Sequence, residues 1–436
     1  MRRAVTFAVT FAVLLAVAAA PAAAEVRVTV LAPAVPLSLG TVSFEGGKTL
    51  ALSIGIGSAA FRGQNDPPDV VWTVSDRGPN IACSDAERVT GVARERICAE
   101  ARQGRIYPTP HYAPTIYRLV LDAERGLFHV TDAIALKTLD GRPIDGLLNP
   151  LTVATTEIPL DGRGRRLSQN PSAIDAEGLV RLEDGTFWIG EENGPSIVQA
   201  AADGRILLRI VPEGTGKDYA GAGYPVLEAL PAILARRQTN RGIESMAVSP
   251  DQRFLYFMLQ NPLANPDVAA YQQAKNTRLL KFDRIALRAV GQYVYRLDDP
   301  QTFRKDPSNR QSDPRVSELT ALGTDRLLVL ERTEGTTKLY EISLAGATNI
   351  LGTTWDDPAR RPTLEQSNEL AGTGIVPVSK RLVFDSADHP EVPAKVEGVA
   401  VLPGNALFLI NDDDFGITGE RTVGLIVRGL DLKVGD

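Results

Sequence analysis

The chain has few of the residues on which common hydrolytic and nucleotide chemistries depend. Of 436 residues, two are cysteine and three are histidine. The histidines, His111, His129 and His389, stand in unrelated contexts, and neither HExxH nor a cluster of His ligands occurs, which argues against a zinc hydrolase. No GxSxG is present, since Gly57-Ser58-Ala59 does not complete one, so the nucleophile elbow of the serine esterases is missing. A P-loop and a GxGxxG following a strand are absent too. Lysines and arginines form no run, and the formal net charge is −6. The concentrated basic face required to grip a phosphate backbone is therefore lacking, and no nucleic-acid partner is expected.

Long apolar runs are equally scarce, and the one that exists lies at the start. Arg2 and Arg3 precede an apolar stretch from Ala4 to Ala20, and Ala22-Ala23-Ala24 comes just before Glu25. These are the charged n-region, h-region and A-x-A site of a secretory signal peptide. A membrane anchor needs about 20 apolar residues and no such site. Cleavage near Ala24 is expected, giving a periplasmic or secreted protein without a membrane anchor, in which residues 25–436 form a single domain. In an oxidising compartment Cys83 and Cys98, on either side of a polar stretch, read as a disulfide pinning a surface loop. A metal or redox pair would call for CxxC spacing or a nearby histidine.

What the chain does have is an internal repeat. Four segments share an acidic residue, an apolar strand, a tight turn, a second apolar strand and a polar or acidic end. They begin at Ala176-Glu177-Gly178, Ile243-Glu244-Ser245, Ser317-Glu318-Leu319 and Val396-Glu397-Gly398. They end at Glu191-Glu192-Asn193, Gln260-Asn261, Glu331-Arg332 and Asp412-Asp413-Asp414. A fifth, weaker copy runs from Ser58-Ala59-Ala60-Phe61 to Ser75-Asp76 and lacks the leading acid. The leading glutamates recur at about 70–80 residues, room for a four-stranded unit. The fold class expected is all-β, a β-propeller of five to seven four-stranded blades. Thr422–Val427 offers a late strand and Val26–Val30 an early one, so the last blade should be closed by the N-terminal strand, which removes exposed sheet edges. Leu227–Arg237 and Asp267–Lys275 have helical spacing.

Hairpin counting sharpens the site. With Asp184-Gly185, Thr324-Asp325 and Gly404-Asn405 as two-residue turns, Glu177 falls opposite Glu192, Glu318 opposite Glu331 and Glu397 opposite Asp412. Glu244 faces a position near Gln260, and Asp76 occupies the matching end of the first copy. Facing carboxylates repel, and a hard cation with oxygen ligands would offset that cost, calcium being the expected one. The candidate metal ligands are Asp76, Glu177, Glu192, Glu318, Glu331, Glu397 and Asp412. A rival reading for each glutamate alone is that it accepts backbone N–H bonds or lines a wet channel.

Ser75-Asp76-Arg77-Gly78, Ala176-Glu177-Gly178-Leu179, Arg241-Gly242-Ile243-Glu244-Ser245-Met246, Glu397-Gly398-Val399 and Asn411-Asp412-Asp413-Asp414-Phe415-Gly416 resemble the phytase-like domain family, "esterase-like activity of phytase". The resemblance runs from about Ser43 to Val427 and implies an exported bacterial propeller acting on phosphoric esters; propeller phytases hold phosphate with calcium. It departs from that pattern in having no evident Lys and Arg cluster for a highly phosphorylated ligand. The expectation is thus a calcium-dependent phosphoric-ester hydrolase, a monomer acting on a small-molecule phosphate ester. Catalytic candidates are Glu177, Glu244, Glu397 and Asp412, and Arg77 and Arg241 are candidates for phosphate contact or for ion pairing with the acids. A non-catalytic propeller that binds a ligand or an envelope partner, and a metal-dependent lactonase, are the alternatives.

Overall fold

The computed structural model describes residues 25–435; the proposed signal peptide and its cleavage site lie outside them. Strand pairing gives five blades. Blade 1 consists of Ala59–Phe61, Val70–Val74, Thr115–Asp122 and Leu127–Ala135, from the channel outward. Blade 2 is Ala176–Arg181, Phe187–Glu191, Ser196–Ala200 and Ile206–Pro212, with Val226–Leu230 added in parallel at its outer edge. Blade 3 is Ile243–Val248, Phe254–Leu259, Asn276–Asp283 and Arg288–Arg296, and blade 4 is Arg315–Gly323, Arg326–Arg332, Thr337–Ser343 and Ser379–Asp385. Blade 5 takes Val396–Leu402, Ala406–Asn411 and Gly424–Arg428 from the C-terminal end and Arg27–Pro33 from the N-terminal end. The innermost strands contact one another in a closed cycle. The chain is therefore an all-β propeller at the lower end of the expected blade range.

Arg27–Leu31 pairs antiparallel with Gly424–Arg428, as expected. Beyond it, Ala32 and Pro33 reach across to pair in parallel with Leu127 and Phe128 of blade 1. One strand thus satisfies two blades and leaves no open edge at the seam.

Five hydrophobic clusters each join two neighbouring blades, because a twisted four-stranded sheet has two apolar faces and no third layer to cover them. Trp188 of blade 2 packs with Phe257 and Phe282 of blade 3. Trp72 of blade 1 meets Phe187 of blade 2 edge-on at 5.5 Å. Phe128 shares a cluster with Phe408 across the seam, where Leu31 is fully buried.

Two expectations about local structure separate here. Asp267 does cap a short helix, Val268–Gln273, its side chain accepting from the Ala270 N–H. Leu227–Arg237 is not a helix: Val226–Leu230 is the extra edge strand, and Pro231 leads into a 3₁₀ turn at Ala232–Arg236. Pro231 lacks the N–H that a continuing helix would use, and the open edge of blade 2 recruits the preceding residues.

Between the second and third strands of blade 1 the chain leaves the ring for a small lobe. It carries the short helices Ala86–Thr90 and Arg94–Ile97 and a small sheet in which Arg105–Tyr107 pairs with Ile81–Ala82 and with Pro159–Asp161, the last supplied by the connection from blade 1 to blade 2. Cys83 and Cys98 form the expected disulfide within its core, beside Ile97 and Ile106. This lobe delivers Asn80 and Arg105 to one mouth of the ring.

If the N-terminal strand closes the ring, Leu31→Ala should cost about 2–5 kcal/mol in denaturant unfolding, with the far-UV spectrum retained. Unchanged stability would show that the seam is held elsewhere.

Candidate functional site

At the mouth where the inner strands begin lies a cavity of about 270 Å³. Its wall takes Asp76 from blade 1, Glu177 and Glu192 from blade 2, Glu244 and Gln260 from blade 3, Arg315, Arg332 and Glu334 from blade 4, and Lys395, Glu397, Asp412 and Asp414 from blade 5. Ligand oxygens of Glu177, Glu244 and Glu397 lie within 4.8 Å of one another, and those of Asp76, Asp175 and Glu177 form a second such group.

The device that aims these side chains is a β-bulge. In blade 3, Ile243 pairs with Leu259 and Ser245 with Met258, so Glu244 is the extra residue. In blade 5, Val396 pairs with Asn411 and Gly398 with Ile410, leaving Glu397 extra. In blade 2 the register shifts across Glu177 and Gly178. An extra residue is released from the ladder and can be turned toward the opening. The glycine that follows has a separate task. A Cβ on Gly178 would lie 3.0 Å from the Met246 nitrogen, and one on Gly398 would lie 2.8 Å from the backbone of Ala59 and Ala60. Glycine lets neighbouring inner strands approach, and that approach brings the glutamates together.

The register does not pair the carboxylates as expected. Glu177 does not face Glu192, since Ala176 pairs with Glu191; Glu318 does not face Glu331, which pairs with Val316; and Glu397 does not face Asp412, since Val396 pairs with Asn411. Glu183–Gly185 and Pro403–Asn405 also form three-residue rather than two-residue turns, Leu182 bonding Thr186 and Leu402 pairing with Ala406. In blade 4 the turn at Thr324–Asp325 is as expected, but Leu322 beside it is an extra residue that moves Glu318 opposite Leu330, and Ser317 is a second. Glu318 itself stays in the ladder and its carboxylate reaches the inner strands of blades 1 and 3.

Glu318 and Glu331 accordingly leave the proposed ligand set. Glu318 is fully buried and accepts from the N–H groups of Ala60 at 3.0 Å, Met246 at 3.3 Å and Leu319 at 2.9 Å. It therefore satisfies inner-strand amides of three blades, the backbone-capping role that was the rival reading for each glutamate. Glu331 lies between blades 3 and 4 and accepts from Asp298 N–H at 2.7 Å, from Lys380 Nζ at 2.6 Å and from the Tyr295 hydroxyl. Gln260 donates to Glu244 Oε1 at 2.6 Å, so the two side chains meet although Glu244 has no partner in the ladder.

Electrostatics follow from crowding. Burial and then Glu244 push Glu177 far above the ordinary carboxylate range; burial, Glu192 and Glu397 do the same to Glu244. Glu397 is pushed up to about 7 by burial, against the pull of Arg332. Asp175 also rises to about 7 through burial, opposed by Arg77. Burial raises Asp412 as well, but Lys395, donating to it at 2.8 Å, holds it below its usual value. Glu244 Oε2 is buried without a hydrogen-bond partner in the protein.

Cations surround the acids. Arg332, 1% exposed, donates to Glu397 and, at 3.0 Å, to Ser317. Lys395 bridges Asp412 and Asp414. Arg77 is closed in by Asp175 at 3.1 Å and Glu157 at 3.4 Å, which makes it an ion-pair partner. Arg241 approaches Glu192 only to 3.7 Å. The cavity thus assembles a basic group whose members are far apart in the chain, which corrects the expectation that none exists. Asp175, Arg315, Arg332 and Lys395 were not among the candidates. A signal for three copies was present: Arg241, Arg315 and Lys395 each stand two or three residues before a leading glutamate.

The all-oxygen donors and the unpartnered Glu244 oxygen fit a hard divalent cation such as calcium and do not suit zinc.

Residues 63–415 match the model of the family described as "Phytase-like: Esterase-like activity of phytase". An "Uncharacterized secreted protein" of Arthroderma benhamiae is 29% identical over 236 residues, 46% of this chain and 44% of that protein; the match thus spans less than half of that relative's length. Among solved structures, a luciferin-regenerating enzyme covers 94% of this chain and 97% of its own at 11% identity, with a TM-score of 0.35. The major allergen Mala s 1 of Malassezia sympodialis covers 90% and 83% at 10% identity, with a TM-score of 0.36. Blade count and closure rest on the strand pairing above. No helix among the described residues is long and apolar enough to cross a membrane.

In chelator, the raised acids make a signed prediction. Glu397 and Asp175 bind protons more tightly folded than unfolded, so their stabilising contribution is complete below about pH 4 and is lost as pH rises through 7. The melting temperature should fall across that window, and added calcium should restore more of it at pH 7.5 than at pH 5. A calcium shift independent of pH, or one untouched in Glu244→Gln, would count against a cation at the carboxylates.

Proposed function

Because this chain belongs to the phytase-like family, we propose that it is an exported, calcium-dependent phosphoric-ester hydrolase whose active site is the cavity at the glutamate-lined mouth. The observation that supports this most is the joint presence in one small cavity of the Glu177, Glu244 and Glu397 triad and a set of guanidinium groups. Carboxylates alone would serve many cations, and arginines alone many anions. Held together, they suit an anionic ester bound against a cation.

Glu177, Glu244 and Glu397 would hold the ion, with Asp76 on the adjoining side. When bound, a divalent cation supplies Lewis acidity and offsets the mutual repulsion of the triad. The side chains have separate duties. Arg332 fixes Glu397 in one orientation by donating to it. Lys395 keeps Asp412 ionised and ties it to Asp414. Gln260 occupies Glu244 Oε1 and leaves Oε2 as an acceptor at the cavity. Asp175, ion-paired with Arg77 at 3.1 Å, stands behind Asp76 and Glu177 and fixes Arg77 away from the cavity. Arg241 remains the phosphate-contact candidate among those expected from sequence, since Arg77 is already neutralised.

Export has support in the disulfide and in the secreted character stated for the fungal relative.

The mature protein should be assayed on a phosphomonoester, a phosphodiester and a lactone panel, with calcium and with chelator. Phosphate-ester turnover is expected with calcium, falling about a hundredfold or more in chelator and in Glu244→Gln or Glu397→Ala. Turnover indifferent to chelator, or confined to lactones, would refute the reading; calcium-induced thermal stabilisation without turnover of any ester would make the propeller a binding protein.

A further inference from the structure

The basic residues of the cavity are not equally committed. Arg105 donates to Glu157 at 2.9 Å and to Asn80 at 2.8 Å, and Arg77, Arg332 and Lys395 are paired as described above. Arg241 and Arg315 differ. Arg241 donates at 2.6 Å to its neighbour's carbonyl, Asn240 O, and hydrogen-bonds the Tyr271 side chain, but its ion-pair contact with Glu192 is loose and no carboxylate closes it in. Arg315 reaches only the mostly exposed Glu334, at 3.4 Å, and its Nε is buried without a partner. Burial, then Arg332 and Arg241, draw the Arg315 guanidinium down to about 10. Like charges have been brought together here with donors to spare, and an oxyanion is the ligand that would relieve them.

The rest of the wall limits what that oxyanion can be attached to. Two guanidinium groups held only loosely by carboxylates match the charge of one phosphoryl dianion. Each further phosphoryl group would need cations of its own, yet the remaining ones are tied to carboxylates, and across the cavity stand Glu177, Glu244 and Glu397. The cavity volume, about 270 Å³, lies below the roughly 300–1,000 Å³ usual for ligand pockets. Phe415 and Ile417 are the apolar side chains in its lining, too little surface to cover an acyl chain or bind an aromatic group.

We infer that the substrate is a monophosphate ester of a compact, hydroxyl-rich alcohol, and that Arg241 and Arg315 form the subsite for its phosphoryl oxygens. The substrate class rests on the hydrolase reading above; the anion subsite does not. On the side-chain charge alone, a polyphosphorylated ligand such as inositol hexakisphosphate is expected to be the poorer substrate.

Two measurements separate these parts. Calorimetric titration of the calcium-loaded protein with inorganic phosphate needs no turnover. Arg241→Gln and Arg315→Gln should each weaken phosphate about ten- to a hundredfold, and unchanged affinity in folded variants overturns the subsite. Should a glutamine variant fail to fold, Arg315→Lys, which keeps the charge but not the fork, should still bind phosphate measurably more weakly than wild type. For the ester, kcat/KM for glycerol 3-phosphate or glucose 6-phosphate should exceed that for p-nitrophenyl phosphate and for inositol hexakisphosphate by at least about tenfold. A preference for the hexakisphosphate overturns the substrate inference. Arginine-dependent phosphate binding with no turnover of any ester upholds the subsite and removes the hydrolase reading together with the substrate class.

Discussion

Three carboxylates from three blades meet within 4.8 Å, and the rest of the molecule is arranged around that unfavourable contact. Bulges release the glutamates toward the opening, and glycines behind two of them let the inner strands approach. Arg332 of blade 4 and Lys395 of blade 5 supply opposite charge. Below, Glu318 occupies the channel and ties amides of blades 1, 3 and 4 to a single carboxylate. That arrangement gives the crowded acids a rigid floor, because the inner edge of each blade has N–H groups that no further strand can satisfy.

The fold was largely legible. An acid-led hairpin recurring at a spacing fit for four strands can be read from one sequence, and so can the pairing of the first strand with the last. What was not legible was register. Counting outward from a turn assumes an unbroken ladder and a known turn length, and each inner hairpin departs from one or both. In blades 3 and 5 the extra residue is the leading glutamate and in blade 2 the shift spans Glu177 and Gly178, whereas in blade 4 Leu322 and Ser317 are the extra residues and Glu318 remains paired. One residue of displacement decides between a ligand and a backbone cap.

The basic half of the cavity escaped notice for a different reason. Arg241, Arg315 and Lys395 are dispersed along the chain, and a search for runs does not register residues that ring closure alone makes neighbours. Their recurrence ahead of each inner strand was visible, but its meaning depends on the blades' common orientation. Arg77, adjacent to an acidic motif, was visible too, yet Asp175 and Glu157 engage it from segments about 80–100 residues away, a proximity created by the small lobe and the ring together.

Closure by the first strand also has a kinetic meaning. The strand made earliest, Arg27–Pro33, cannot find its antiparallel partner until Gly424–Arg428 has emerged. Loop-closure entropy rises only slowly with chain length, but the wait itself is set by synthesis and not by diffusion. Four blades can assemble from sequential hairpins while the fifth stays incomplete, so the apolar seam around Leu31, Phe128 and Phe408 is the last surface to leave water. Covering that seam therefore needs both ends of the chain at once.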